Sequence, residues 1–144
     1  MALLWTTQSL LIKNSDAVGH NTKIEVIANP AINDIVPAGA TLLRQFPQTE
    51  RSPAAPVACS IHPWMNAWLV VRDNPYFAVS NQDGDLEIKN LPAGEWTVQF
   101  WHEKPGYVVD VKLGDKKTEW KRGRLDVKIE NGKVVDLGVV RFAP

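Results

Sequence analysis

Ten short runs rich in Val, Ile, Leu, Thr and Trp, each cut off by Pro, Gly, Asn or Asp, constrain this chain more than anything else in its sequence. They are Ser9–Lys13, Lys23–Ile27, Thr41–Phe46, Pro56–Ser60, Ala67–Arg72, Leu86–Lys89, Glu95–His102, Tyr107–Leu113, Arg124–Ile129 and Val134–Phe142. Runs of this length between turn signals predict an all-β sandwich. Gln45, Glu87 and Lys128 stand between apolar neighbours, as period-2 alternation requires of a half-buried strand, and no stretch of a dozen residues keeps a 3.6-residue period. Helix is expected at most as a turn near Asp115–Trp120. Asp83-Gly84 and Asn131-Gly132 predict tight hairpin turns, since both residue types tolerate positive φ.

A seam is expected at Asp73-Asn74-Pro75, where an apolar strand ends and the style changes from long loops to regular hairpins. Two domains follow, 1–73 and 74–144. At 144 residues with 44% hydrophobic content the chain is long enough to bury a core. Sixteen basic residues balance sixteen acidic ones, so no global field favours nucleic acid or an anionic membrane. No segment is long and apolar enough for a membrane span, and the start, Met1-Ala-Leu-Leu-Trp-Thr-Thr-Gln, lacks the basic and apolar regions of an export signal.

The one cysteine excludes an internal disulfide and needs another reason to be there. It stands in "CSIHPWM", residues 59 to 65, with His62 and Met65. A thiolate, an imidazole and a thioether suit copper in both of its common oxidation states, and a blue-copper site takes one Cys and two His in a plane with a long axial Met. The stretch supplies three of those four donors, and His20 is the candidate for the fourth. A strand ending at Cys59, a loop at 60–64 and a strand from Ala67 bring three donors into one hairpin. Pro63 biases His62 toward an extended backbone and stiffens the loop.

This loop, C-x-x-H-P-x-M, resembles that of the cupredoxins, and of amicyanin in particular. "NSDAVGHN" at 14 to 21 is similar to the segment in which that family places its first His ligand, followed by Asn. The resemblance implies a cupredoxin-like Greek-key β-sandwich whose first strands are missing ahead of Leu3, and His20, Cys59, His62 and Met65 as ligands of one copper ion. It also implies that Asn21 ties the His20 loop to the backbone beside Cys59, with Ser60 and Pro63 supporting the ligands. Electron transfer with a redox partner protein, no enzymatic conversion, and a periplasmic or extracellular setting go with it. A sheet edge left uncovered by missing strands would invite an oligomer.

In the second half, "DGDLEIKNLPAGEWTVQFWHE" resembles the hairpin of carboxypeptidase regulatory-like, transthyretin-like sandwich domains, which implies a small Ig-like β segment with a structural role. His102-Glu103 has no further donor at ligand spacing, and the cluster Lys116, Lys117, Lys121, Arg122 and Arg124 reads as a solvated loop before a docking face. Trp64 is either core packing or part of an exposed apolar patch. Two other functions stay open at this point. One is a non-redox copper-binding or structural β-sandwich module of a secreted surface protein; the other is a thiol enzyme using Cys59 and His62, for which no activating environment is legible.

Overall fold

The computed structural model describes residues 1–143, and the chain is all-β as expected. It divides into two compact units, Met1–Ile88 and Lys89–Pro144. The division therefore falls beyond the expected seam at 73–75, because residues 74–88 form loop that stays with the first unit. Among the described residues no helix is long and apolar enough to cross a membrane.

The first unit has a five-stranded sheet in the order β1-β7-β6-β3-β4, built from β1 (Ala2–Trp5), β3 (His20–Ile24), β4 (Ile32–Val36), β6 (Ala55–Ala58) and β7 (Asn66–Arg72). A separate ribbon pairs β2 (Ser9–Lys13) with β5 (Thr41–Gln45). The core lies between these layers. Leu4, Ile24, Ala55, Leu69 and Val71 come from the sheet, Phe46 follows the ribbon, and Leu10 packs against them. Alternation decides which residues point there: Leu69 and Val71 are buried at 1% and 0% exposure, whereas their neighbours on β7 are only half-buried.

Two strands of this sheet escaped the sequence reading. β1 is short and joins β7 in parallel, Ala2 opposite Leu69 through Trp5 opposite Arg72, so it occupies one sheet edge. β4 carries Asn33 and Asp34 in its middle, which hide its period, and forms the other edge.

In the second unit β8 (Gly94–Gln99) pairs with β13 (Arg124–Ile129) in antiparallel register. β9 (Trp101–His102) and β10 (Gly106–Tyr107) make a small hairpin, and β11 (Asp110–Leu113) lies between β12 (Lys116–Glu119) and β14 (Val140–Phe142). Val108, Val111 and Trp120 form its core, with Phe100, Leu113, Leu125 and Val140 against them. Gly123 has φ +68°, and a side chain there would run into the Phe100 carbonyl, so both backbone and space call for glycine.

Three expectations for this half need correction. Residues 115–120 hold strand β12 in place of a helical turn; among the described residues the only helical turn is 3-10, at Lys121–Gly123. Leu86–Lys89 is not a strand, so the arm expected to follow the Asp83-Gly84 turn does not form. The turn itself is present, with Gly84 at φ +89° and the Asn81 side chain accepting bonds from the Asp83 and Asp85 amides, but Val79 and Leu86 beside it are 47% and 46% exposed and have no sheet to join. Likewise Val134–Phe142 shortens to Val140–Phe142, since Val134 is 91% exposed after the turn at Gly132.

Candidate metal centre

β6 and β7 are paired up to Ala58 opposite Asn66, so residues 59–65 are the loop that joins the two strands. Two backbone bonds close it. The Cys59 amide donates to the Met65 carbonyl at 3.1 Å, and the Met65 amide donates to the His62 carbonyl at 2.9 Å. Asn66 Nδ2 adds a bond to the Pro63 carbonyl at 2.9 Å, which fixes the outer side of the turn.

β3 runs antiparallel to β6 with Lys23 opposite Ala58 and Ile24 opposite Val57. Continuing that register past the paired residues puts Asn21 level with Ser60. Asn21 is 7% exposed, and its Oδ1 accepts the Ser60 amide at 2.6 Å and the Ile61 amide at 3.4 Å. Its Nδ2 donates to Asn33 Oδ1 on β4 and to Ser60 Oγ. The Asn21 side chain thus fastens β3 and β4 to the start of the loop, and it carries the link between His20 and Cys59 across thirty-nine residues. By strand parity His20 shares a face with Ile24, and Cys59 with Val57 and Ala55, so both face the core at the end of the sheet.

The outcome is a cluster of His20, Cys59 and His62. His20 Nδ1 and His62 Nδ1 are 2.9 Å apart, and Cys59 Sγ lies 3.9 Å from the first and 3.6 Å from the second. The circle through three atoms at those separations has a radius of about 2.0 Å, and imidazole and thiolate donors bind a metal at ~2.0–2.3 Å. One ion in the plane of the three atoms would reach all of them without rearrangement. The donor set suits a borderline-to-soft metal.

Hydrogen bonding aims His20 at this point. Its Nε2 meets Asp16 Oδ2 at 2.8 Å; a carboxylate only accepts, so the ring donates there, and Nδ1 is the nitrogen turned toward Cys59 and His62. Cys59 is 5% exposed, His20 is 12% exposed at its side chain, and His62 is half-buried with its ring against Trp64, centroids 5.2 Å apart. Trp64 is 76% exposed, so of the two roles open to it the apolar patch is the one it fills. Pro63 and Ser60 are exposed loop residues. Met65 is 39% exposed and held by its backbone.

Burial alone would raise the Cys59 thiol, but the backbone N–H groups of Asn21 and His62 and the two imidazoles outweigh it and bring the pKa down to about 6. His20 moves the other way, raised by its bonds to Cys59 and Asp16. The metal-free site therefore favours a thiolate beside an imidazolium. The thiolate's stabilising effect is complete above the ordinary thiol value and is lost as pH falls through about 6. The imidazolium's contribution is complete at low pH and is lost as pH rises through the raised His20 value. Thiolate absorption in the ultraviolet should titrate with a midpoint near pH 6 in metal-free protein; a midpoint above 8 would show that the backbone donors do not act on the sulfur.

Neither protein-family models nor curated proteins nor solved structures give any match to this chain. Of the expected donors, His20, Cys59 and His62 come together. Asp16, Asn14 and Asn33 were missed. Asp16 was visible as an acid four positions before a His, which is too common a spacing to single out, and Asn33 was concealed with the strand that carries it. His102 caps its own hairpin through Nδ1 and the Lys104 amide, with its ring against Phe142.

Proposed function

We propose that this protein is a mononuclear blue-copper electron carrier, in which His20, Cys59 and His62 would hold the ion and Met65 would be a weaker fourth donor. The observation that carries the reading is the triangle of inward-facing Nδ1, Nδ1 and Sγ atoms, whose size fits one metal ion. When bound, copper supplies a one-electron couple. The protein's own task is to hold donors and limit their movement. The Asn21 side chain locks the Cys59 end of the loop, the two backbone bonds around Met65 lock the other end, and the strands on either side belong to a packed sheet. Ligands that cannot move give a small reorganisation on electron transfer. Burial of Cys59 keeps solvent from the sulfur, while the half-buried His62 with the exposed Trp64 and Ile61 offers the route to a redox partner protein. No substrate is transformed, and a periplasmic or extracellular setting accompanies the reading. The unit 89–144 acts as a structural β segment.

Titration of the metal-free chain with Cu(II) tests this. One equivalent is expected to produce an intense visible thiolate-to-copper band and a reversible one-electron wave. A colourless product would sink the reading; a coloured product without a reversible wave would favour the non-redox copper module.

A further inference from the structure

We infer that Asp16 is a positioning residue for the candidate metal centre: its carboxylate fixes His20 in the Nε2–H tautomer, presents Nδ1 to the metal, and favours the more highly charged oxidation state. This rests on the copper reading above and deepens it. The bond itself is short, His20 Nε2 to Asp16 Oδ2 at 2.8 Å. What makes it more than a chance surface pair is the way the loop before His20 is built. Asn14 is 6% exposed, and its Nδ2 donates to three carbonyls, those of Val18, Val36 and Pro37, while its Oδ1 accepts the Asp16 amide at 3.0 Å. The Asn14 amide also donates to the Ala40 carbonyl. A buried amide thus pins residues 14–18 to the end of β4 and holds the Asp16 backbone directly. The Asp16 side chain is 63% exposed and His20 is its only ion-pair partner among the described residues, so the one fixed contact of that clamp's product is the back of a ligand ring.

The chemistry follows from the charge. A ring proton held by a carboxylate makes the opposite nitrogen a stronger donor, and the gain is larger for a doubly than for a singly charged ion. Asp16 then stabilises Cu(II) over Cu(I) and holds the reduction potential down. It touches no metal itself.

Two variants of the full chain test this. Asp16→Asn keeps the shape and removes the charge; Asp16→Ala removes the acceptor. In metal-free wild type, long-range proton–nitrogen NMR should find His20 as the Nε2–H form whenever it is neutral, and Asp16→Ala should give a mixture of tautomers. An unchanged tautomer in Asp16→Ala, or an Nδ1–H form in wild type, would overturn the proposal. In copper-loaded protein Asp16→Asn should bind Cu(II) about tenfold more weakly with Cu(I) affinity nearly unchanged, which raises the potential by about 59 mV for a one-electron couple. Equal loss for both ions, or none, would overturn it as well. If wild type binds no copper the functional reading fails, and the tautomer measurement still decides the role of Asp16. Thermal unfolding of each variant identifies a general loss of fold.

Discussion

Cys59→Ala protein mixed with Cu(II) will show none of the intense visible absorption expected of wild type, and will still unfold cooperatively. Cys59 is the chain's one thiol, so no other thiolate can take its place. Its removal leaves His20 Nδ1 and His62 Nδ1 2.9 Å apart, a pair of imidazoles that still captures copper but without the charge-transfer donor. Copper affinity should fall by more than the roughly 10–100-fold that follows from losing a residue which only orients a ligand. The backbone around the position is held by the Cys59 amide and by Asn21, neither of which the substitution touches. An undiminished band in the variant would place the chromophore elsewhere and end the proposal.

The second large effect concerns stability. Glu50 is 3% exposed, and its carboxylate accepts the backbone N–H groups of Ile27, Ala28 and Asn29 together with Asn29 Nδ2. Burial by itself would raise its pKa, but these donors outweigh burial and leave it below the usual carboxylate value. Glu50→Ala strips three backbone amides of their acceptor, that of Asn29 in a buried bond and those of Ile27 and Ala28 in part-buried ones. At ~1–3 kcal/mol for each group left unsatisfied, partly relieved by water, the cost is about 4 kcal/mol and a fall in Tm of more than about 10 °C. The sign with pH is set by the lowered value: the contribution is full above the ordinary Glu value and disappears as pH drops through the folded one. Wild type and variant should therefore converge in stability at low pH, and a gap independent of pH would show that the lost interaction is packing and not the carboxylate.

Much of this was legible in the sequence. Ser9–Lys13 and Arg124–Ile129 match their strands end to end, since each alternates clearly and packs one face on a core. The donors His20, Cys59 and His62 were legible because metal chemistry restricts residue type so tightly that their order along the chain carries information. The failures have a common cause. Leu86–Lys89 and Val134–Val139 have the composition of strands, but a strand needs a neighbour, and propensity says nothing about whether one is within reach. β1 and β4 failed in the opposite direction: their sequences are weak, and pairing with β7 and β3 makes them strands. Asp16 was illegible because its meaning depends on where Asn14 holds it, and that depends on carbonyls of residues 36 and 37.

The antiparallel register of β3 against β6 also gives the centre a second significance, as a reading of whether the chain has folded in the correct alignment. Cys59 and His62 are close in sequence and meet wherever their loop closes, but His20 reaches them only through that register. A slip of β3 by a single residue would turn every side chain of the strand over and carry His20 to the opposite face of the sheet. Such a misaligned chain would keep two donors and lose the third, so the three-donor centre is a property of one strand alignment, and full metal affinity would be a proofreading signal available only to molecules that have it.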